Sequence, residues 1–192
     1  MSAVNLRVKA MDFTELVKRR CSVRQYDPGR PVKREDIERC LEAARLSPSA
    51  CNSQPWHFIV VDKPELKEKL AAAMLSGIYG QNVFIKNAPV LVVVVTEKAT
   101  WFSQVANFLR NIRMYLVDIG IACEHFILQA AELGLGTCWL GWFNEKAVKR
   151  LLHIPAGKKV EVVISMGYPA PGFHPPEKNR KGLREISSYA QD

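Results

Sequence analysis

Ile112–Leu133, IRMYLVDIGIACEHFILQAAEL, is the longest periodic stretch of the sequence. Ile112, Leu116, Ile119, Cys123, Phe126, Ile127, Ala130 and Leu133 recur at three- and four-residue steps, so the spacing predicts a helix. Most of its circumference is apolar, which places it inside a core. Gly134 follows as a C-cap free to take positive φ. Asp118 interrupts the apolar pattern; if buried it needs a partner, and it reads as structural.

A buried helix needs a sheet to cover. Pro89–Thr96 is an almost unbroken apolar strand, expected to be covered on both faces. Trp56–Val61 and Val160–Met166 read as further strands from their aromatic and β-branched content. Gly136–Trp142 crosses as strand or loop. Between them, Lys33–Leu46 carries Ile37, Cys40, Leu41 and Ala44 at helical spacing, and Pro48 ends that helix. Pro64 opens a helix to about Met74. Asn144 caps one through Leu152, and Asp12, with Glu15 three residues on, caps a short one to about Arg20. Ser76–Asn82 reads as a loop, Cys21–Gln25 as extended, and the tail from Pro171 as proline-rich, basic and extended. Lys98–Arg110 is ambiguous between loop and helix. Helices and strands mix without regular alternation or repeat, which argues for an α+β fold in one domain over residues 1–192.

Bulk properties exclude several classes. The 192 residues are 48% hydrophobic and 24% charged, the balance of an ordinary globular protein. Neither a membrane-spanning run nor an apolar signal core is read in the sequence. Five scattered cysteines, an odd number without a CxxC pair, argue for reduced thiols and a cytoplasmic protein. The net charge of +8 suits nucleic acid, a membrane surface or small anions. A nucleic-acid surface would interleave cations with exposed aromatics, whereas most aromatics here sit in apolar segments. The cations gather near Lys18, Arg19, Arg20 and Arg24 and again at Lys178, Arg180, Lys181 and Arg184. Two solvated faces, or one shared phosphate site, would both account for that.

Protein-borne catalysts are not evident. His57, His125, His153 and His174 lack metal-ligand spacing, so no metal site is expected. No GxSxG is present and no cysteine lies beside an obvious base. Gly134-Leu135-Gly136 follows a helix and is not a dinucleotide fingerprint. An enzyme built this way would leave its chemistry to a cofactor. Arg20 and Arg24 flank Ser22 on an extended stretch, and arginine forks suit phosphate oxygens and planar carbonyl edges. Lys178 and Arg180 share one face of an extended tail.

Four segments in this order and spacing resemble the nitroreductase family of flavoproteins: Arg20–Tyr26 (RCSVRQY), Ser47–Trp56 (SPSACNSQPW), Gly134–Gly141 (GLGTCWLG) and Lys178–Lys181 (KNRK). The second is the most specific. The resemblance implies an α+β sandwich, a mixed sheet flanked by helices, and an intertwined homodimer with FMN at the subunit interface. It implies that Arg20 and Ser22, with Lys178 and Arg180, hold the FMN phosphate, and that Arg24 reaches the pyrimidine edge. Cys21 stands where the family commonly has Arg or His, which makes the grip less cationic there. Pro48, Ser49, Ala50 and Asn52 would arrive from the partner subunit along the ring. The backbone of Cys138, Leu140 and Gly141 would lie beside it, with the Leu140 N–H directed at N5. Gln81 is a looser match to a ring-contacting position. Trp101, Phe102 and Phe108 would form an aromatic cover or pack into core or interface.

The implied activity is ping-pong: NADH or NADPH reduces bound FMN, which then reduces a nitroaromatic, quinone or similar small-molecule acceptor. Hydride reduction adds negative charge near N1, and a cation at Arg24 would raise the flavin potential. The same fold hosts dehalogenation, dehydrogenation and flavin fragmentation.

Overall fold

A computed structural model describes residues 12–97 and 112–190. The ambiguous segment Lys98–Arg110, with Trp101, Phe102 and Phe108, lies outside the described residues. The elements are α1 (Phe13–Arg19), α2 (Arg34–Arg45), β1 (Trp56–Val61), α3 (Pro64–Met74), β2 (Val90–Thr96), α4 (Met114–Glu132), β3 (Gly136–Leu140), α5 (Glu145–Leu151), β4 (Val160–Gly167) and α6 (Leu183–Ile186).

The strands form one sheet in the order β1-β2-β4-β3. Its three ladders are antiparallel. That corrects the expectation of a mixed sheet: among the described residues, parallel pairing is confined to a single bridge between Ser22 and Thr137. Apolar content revealed the strands, but direction depends on the connections, which it does not encode.

β2 sits in the middle and is buried on both faces, as its unbroken apolar run predicts. Val90, Val92 and Val94 point into a core with Ile119, Cys123, Phe126 and Ile127 of α4 and Ile37, Cys40 and Ala44 of α2. Leu91, Val93 and Val95 point the other way, against Leu70 and Met74 of α3 and Val148 of α5. Alternate side chains of a strand face opposite sides, so one strand joins both cores. The molecule is a sheet between two helical layers.

By length and composition α4 could cross a membrane. Here its apolar face is instead buried in the protein, with Ile119, Ala122, Phe126 and Ala130 in the core. Gly134 ends the helix at φ 76° and turns the chain directly into β3. Asp12 caps α1, accepting the Glu15 N–H at 3.3 Å, and Asn144 caps α5, accepting the Ala147 N–H at 3.1 Å. The segment expected as a loop at Ser76–Asn82 is 3-10 helical over Gly77–Asn87, broken at Tyr79 and Asn82. Only Ile85 in it is fully buried, so no apolar periodicity announced it.

Candidate functional site

The site begins with how Arg20–Tyr26 is held. This stretch leaves α1 and docks on β3. Val23 donates its N–H to the Thr137 carbonyl at 2.9 Å, beside the Ser22–Thr137 bridge. Close approach depends on Gly136, where a Cβ would lie 2.6 Å from Val23 Cγ2. Tyr26 pins the far end: its hydroxyl hydrogen-bonds Ser165 Oγ at 2.8 Å, and burial pushes the phenol well above its ordinary pKa. Val23 is buried against the core, whereas Arg20 and Ser22 are half-buried and Arg24 is exposed. Alternation therefore turns Cys21 and Val23 to one side and Arg20, Ser22 and Arg24 to the other.

Cys138 of β3 sits within reach of that second side. Burial raises its thiol pKa, while Arg24, a hydrogen bond from Ser22 and Arg20 oppose the shift. A buried thiol held protonated is not a nucleophile. Cys138 therefore contributes shape and backbone, beside Leu140, which is buried, and Gly141, which is exposed.

The C-terminal tail returns to the same place. Lys178 Nζ donates to the Val17 carbonyl of α1 at 2.6 Å. Its pKa is lowered, first by partial burial and then by the positive charges of Arg20 and Arg180. Lys178 is thus crowded by the two arginines that the sequence grouped with it. Arg20 has one distant carboxylate, Glu124, at 4.0 Å. Arg24, Lys178 and Arg180 form no ion pair among the described residues. Arg180 donates to the Asn179 carbonyl at 2.8 Å. Such a cluster has capacity for a multiply charged anion, and its forked donors suit phosphate oxygens.

A cleft of about 260 Å³ opens between Arg19, Arg20, Cys21 and Val23, Leu135–Thr137 and the tail at Phe173 and Pro175. That is below the roughly 300–1,000 Å³ of cofactor pockets. Of the candidate residues, Arg20 and Cys21 line it.

Pro48, Ser49, Ala50 and Asn52 lie elsewhere, on the loop after α2, and do not line this cleft. The loop is tightly specified. Cys51, Asn52 and Gln54 all have positive φ, at 53°, 50° and 45°. Non-glycine residues in that region cost on the order of 1–3 kcal/mol each and persist only where surroundings enforce them. Ser49 Oγ accepts the Gln54 N–H at 3.0 Å, and Asp118 Oδ1 accepts the Ala50 N–H at 3.0 Å. Asp118 thereby finds the partner that its place in an apolar helix demanded.

Gln81 is exposed on the 3-10 segment Gly77–Asn87. Its neighbour Asn82 donates to the Trp142 carbonyl at 3.2 Å, and the Tyr79 and Trp142 rings stand 5.0 Å apart. Gln81 is thus tethered close to the chain that follows Leu140 and Gly141.

The sequence profile of the nitroreductase family matches residues 17–168. The chain belongs to the nitroreductase family. It is 33% identical over 168 residues to a Methanothermobacter thermautotrophicus protein with the provisional name NADH dehydrogenase/NAD(P)H nitroreductase, covering 85% of this chain and 81% of that one. It is 26% identical to iodotyrosine deiodinase 1 of Rattus norvegicus, covering 94% and 70%. The structure of an FMN-dependent nitroreductase from Clostridium difficile superposes with a TM-score of 0.67 at 30% identity, covering 88% of this chain and 92% of that one.

Two features of this candidate site were not read from sequence. Asp118 was recognised as needing a partner, but its link to Ala50 crosses 68 positions and has no local signal. Glu124 approaches Arg20 to 4.0 Å, and burial raises its pKa against the pull of Arg20 and Lys178. It lies on the same helix, six residues on, and spacing alone could have placed it a turn and a half away.

Proposed function

We propose that the protein is an FMN-dependent NAD(P)H oxidoreductase that works by a ping-pong cycle as a homodimer with its flavins at the interface. The observation that carries this reading is the convergence of the two ends of the chain: Lys178 of the tail donates to the Val17 carbonyl of α1, and the neighbouring Arg20 charge lowers its pKa. Arg20, Lys178 and Arg180 fit a phosphate monoester, with Ser22 supplying a neutral donor. Arg24 lies farther along the same face of the strand and is assigned to the pyrimidine edge of the ring. Bound there, FMN would supply the hydride chemistry for which the described residues offer no nucleophile, taking hydride from NADH or NADPH and passing it to the acceptor.

The chain's own part is to bind, orient and exclude water. The Gly136–Gly141 backbone would form one wall beside the ring, and the Leu140 N–H would orient N5. Pro48, Ser49, Ala50 and Asn52 would complete the site from the partner subunit. Gln81 would approach from the tethered 3-10 segment. The free thiols of all five cysteines suit a reducing compartment, and we assign the protein to the cytoplasm.

Anaerobic stopped-flow mixing with NADH or NADPH, followed by nitroaromatic and quinone acceptors, tests the cycle. Bleaching of the flavin absorbance by one nicotinamide and its return on adding acceptor supports it. A colourless protein that FMN cannot reconstitute overturns it. The likeness to iodotyrosine deiodinase favours a second reading, reductive dehalogenation at the same site. Halide release from halophenols in a substrate panel distinguishes it.

A further inference from the structure

Asp118 is a carboxylate in an apolar helix, 3% exposed. It forms no ion pair among the described residues. Its Oδ1 instead accepts the Ala50 N–H. A carboxylate is costly to bury, and a mere filler of this position would be apolar.

What it grips is unusual. Ser49–Gln54 is wound through three non-glycine positive-φ residues. Its other hydrogen bonds, such as Gln54 N–H to Ser49 Oγ and Asn52 N–H to the Ser49 carbonyl, are internal. Among the described residues, the Asp118 bond is the hydrogen bond that ties this loop to the helical layers. α4 is a rigid support for it, since the helix is packed against the sheet through Ile119, Ala122 and Phe126.

We propose that Asp118 is a positioning residue for the flavin site: through Ala50 it holds Pro48–Asn52 where the loop closes on the ring bound by the partner subunit. This rests on the flavoenzyme reading above. It adds a residue that is not itself an expected ring contact, with an effect delivered in trans. The bond needs an acceptor at Oδ1 more than it needs a charge, so Asn serves where Ala does not.

The test is FMN titration of the apo-dimer, followed by flavin fluorescence and visible circular dichroism. Asp118→Asn should bind FMN within about threefold of wild type, whereas Asp118→Ala should bind at least tenfold more weakly with an altered flavin dichroism band. Ala50→Pro removes the donor while leaving Asp118 in place. Ser49, at φ −146° and ψ 154°, already has the extended backbone that a following proline favours. It should weaken binding as Asp118→Ala does, which keeps the test decisive if the alanine variant fails to fold.

A mixed dimer pairing an Asp118→Ala chain with an Arg20→Ala chain should keep one full-affinity site, because both defects fall on the same flavin. Two weakened sites would overturn action in trans, and wild-type binding by Asp118→Ala or Ala50→Pro would overturn the role itself. If the wild-type dimer binds FMN, these failures concern Asp118 alone. A wild-type dimer that binds none overturns the flavoenzyme reading as well.

Discussion

Arg24, whose charge acts on Cys138, and Lys178, whose neighbour is Arg20, are assigned different roles. Arg24 is placed at the ring. Hydrogen bonds to charged groups contribute about 1.5–3 kcal/mol, so Arg24→Gln should lower the flavin midpoint potential by about 30–60 mV, at roughly 30 mV per 1.4 kcal/mol for a two-electron couple. Xanthine oxidase–coupled potentiometry measures it, and an unchanged potential would remove Arg24 from the ring. Lys178 is placed at the phosphate. Its pKa is already lowered by burial and by Arg20 and Arg180. An anion stabilises the protonated form, so binding takes up a proton where the free amine has begun to lose one. FMN affinity should therefore fall as pH rises through the lowered Lys178 pKa. It should also fall below about pH 6, where a phosphate monoester gains its second proton. Lys178→Met should flatten the alkaline limb and leave the acid limb.

At the level of elements, the site depends on one close approach. Val23 can lie against β3 only because position 136 has no side chain. Gly136→Ala drives a methyl into a β-branched residue with few rotamers to escape into. Overpacking of this kind costs typically about 1–3 kcal/mol. Calorimetry should show a lower Tm, and FMN titration a loss of affinity, because Arg20, Ser22 and Arg24 move with Val23. Much of this architecture was legible in the sequence. The α4 periodicity, the two-sided β2 run, the caps at Asp12 and Asn144 and the Gly134 stop are local signals, and each became the element it announced. Cys138, Leu140 and Gly141 were read from a segment that left strand and loop open, and pairing with β4 made Gly136–Leu140 a strand. Strand direction was not legible, nor was the 3-10 segment, because one depends on connections and the other lacks a period. Charge clustering left two solvated faces and one shared phosphate site open, and it was the family resemblance that grouped Arg20 with Lys178. The Asp118–Ala50 bond was not anticipated, since a tertiary partner leaves no mark on spacing.

At the scale of the whole molecule, the chain presents apolar surface that one copy leaves open. Phe13 and Val17 of α1, Leu116 and Val117 of α4, and Leu183 and Ile186 of α6 are all exposed. In sequence, α1 leads into Arg20, α4 carries Asp118 and Glu124, and α6 follows Arg180. Obligate interfaces bury on the order of 2,000–5,000 Å² or more, and residues of this kind form their cores. Sedimentation velocity across a wide dilution series should show a dimer with its flavin retained, and a stable flavin-loaded monomer would contradict the interfacial site. Leu183→Asp with Ile186→Asp should weaken the dimer and release FMN together.

The central claim is that cations from both ends of the chain hold one phosphate. Titrating the apo-dimer in parallel with FMN and with riboflavin, which lacks that phosphate, tests it most directly. The account predicts FMN binding at least a hundredfold tighter than riboflavin, with the preference collapsing to within a few-fold in the Arg20→Ala, Lys178→Ala double variant. Equal affinity for the two ligands in the wild-type protein, or a preference that survives both substitutions, would contradict it.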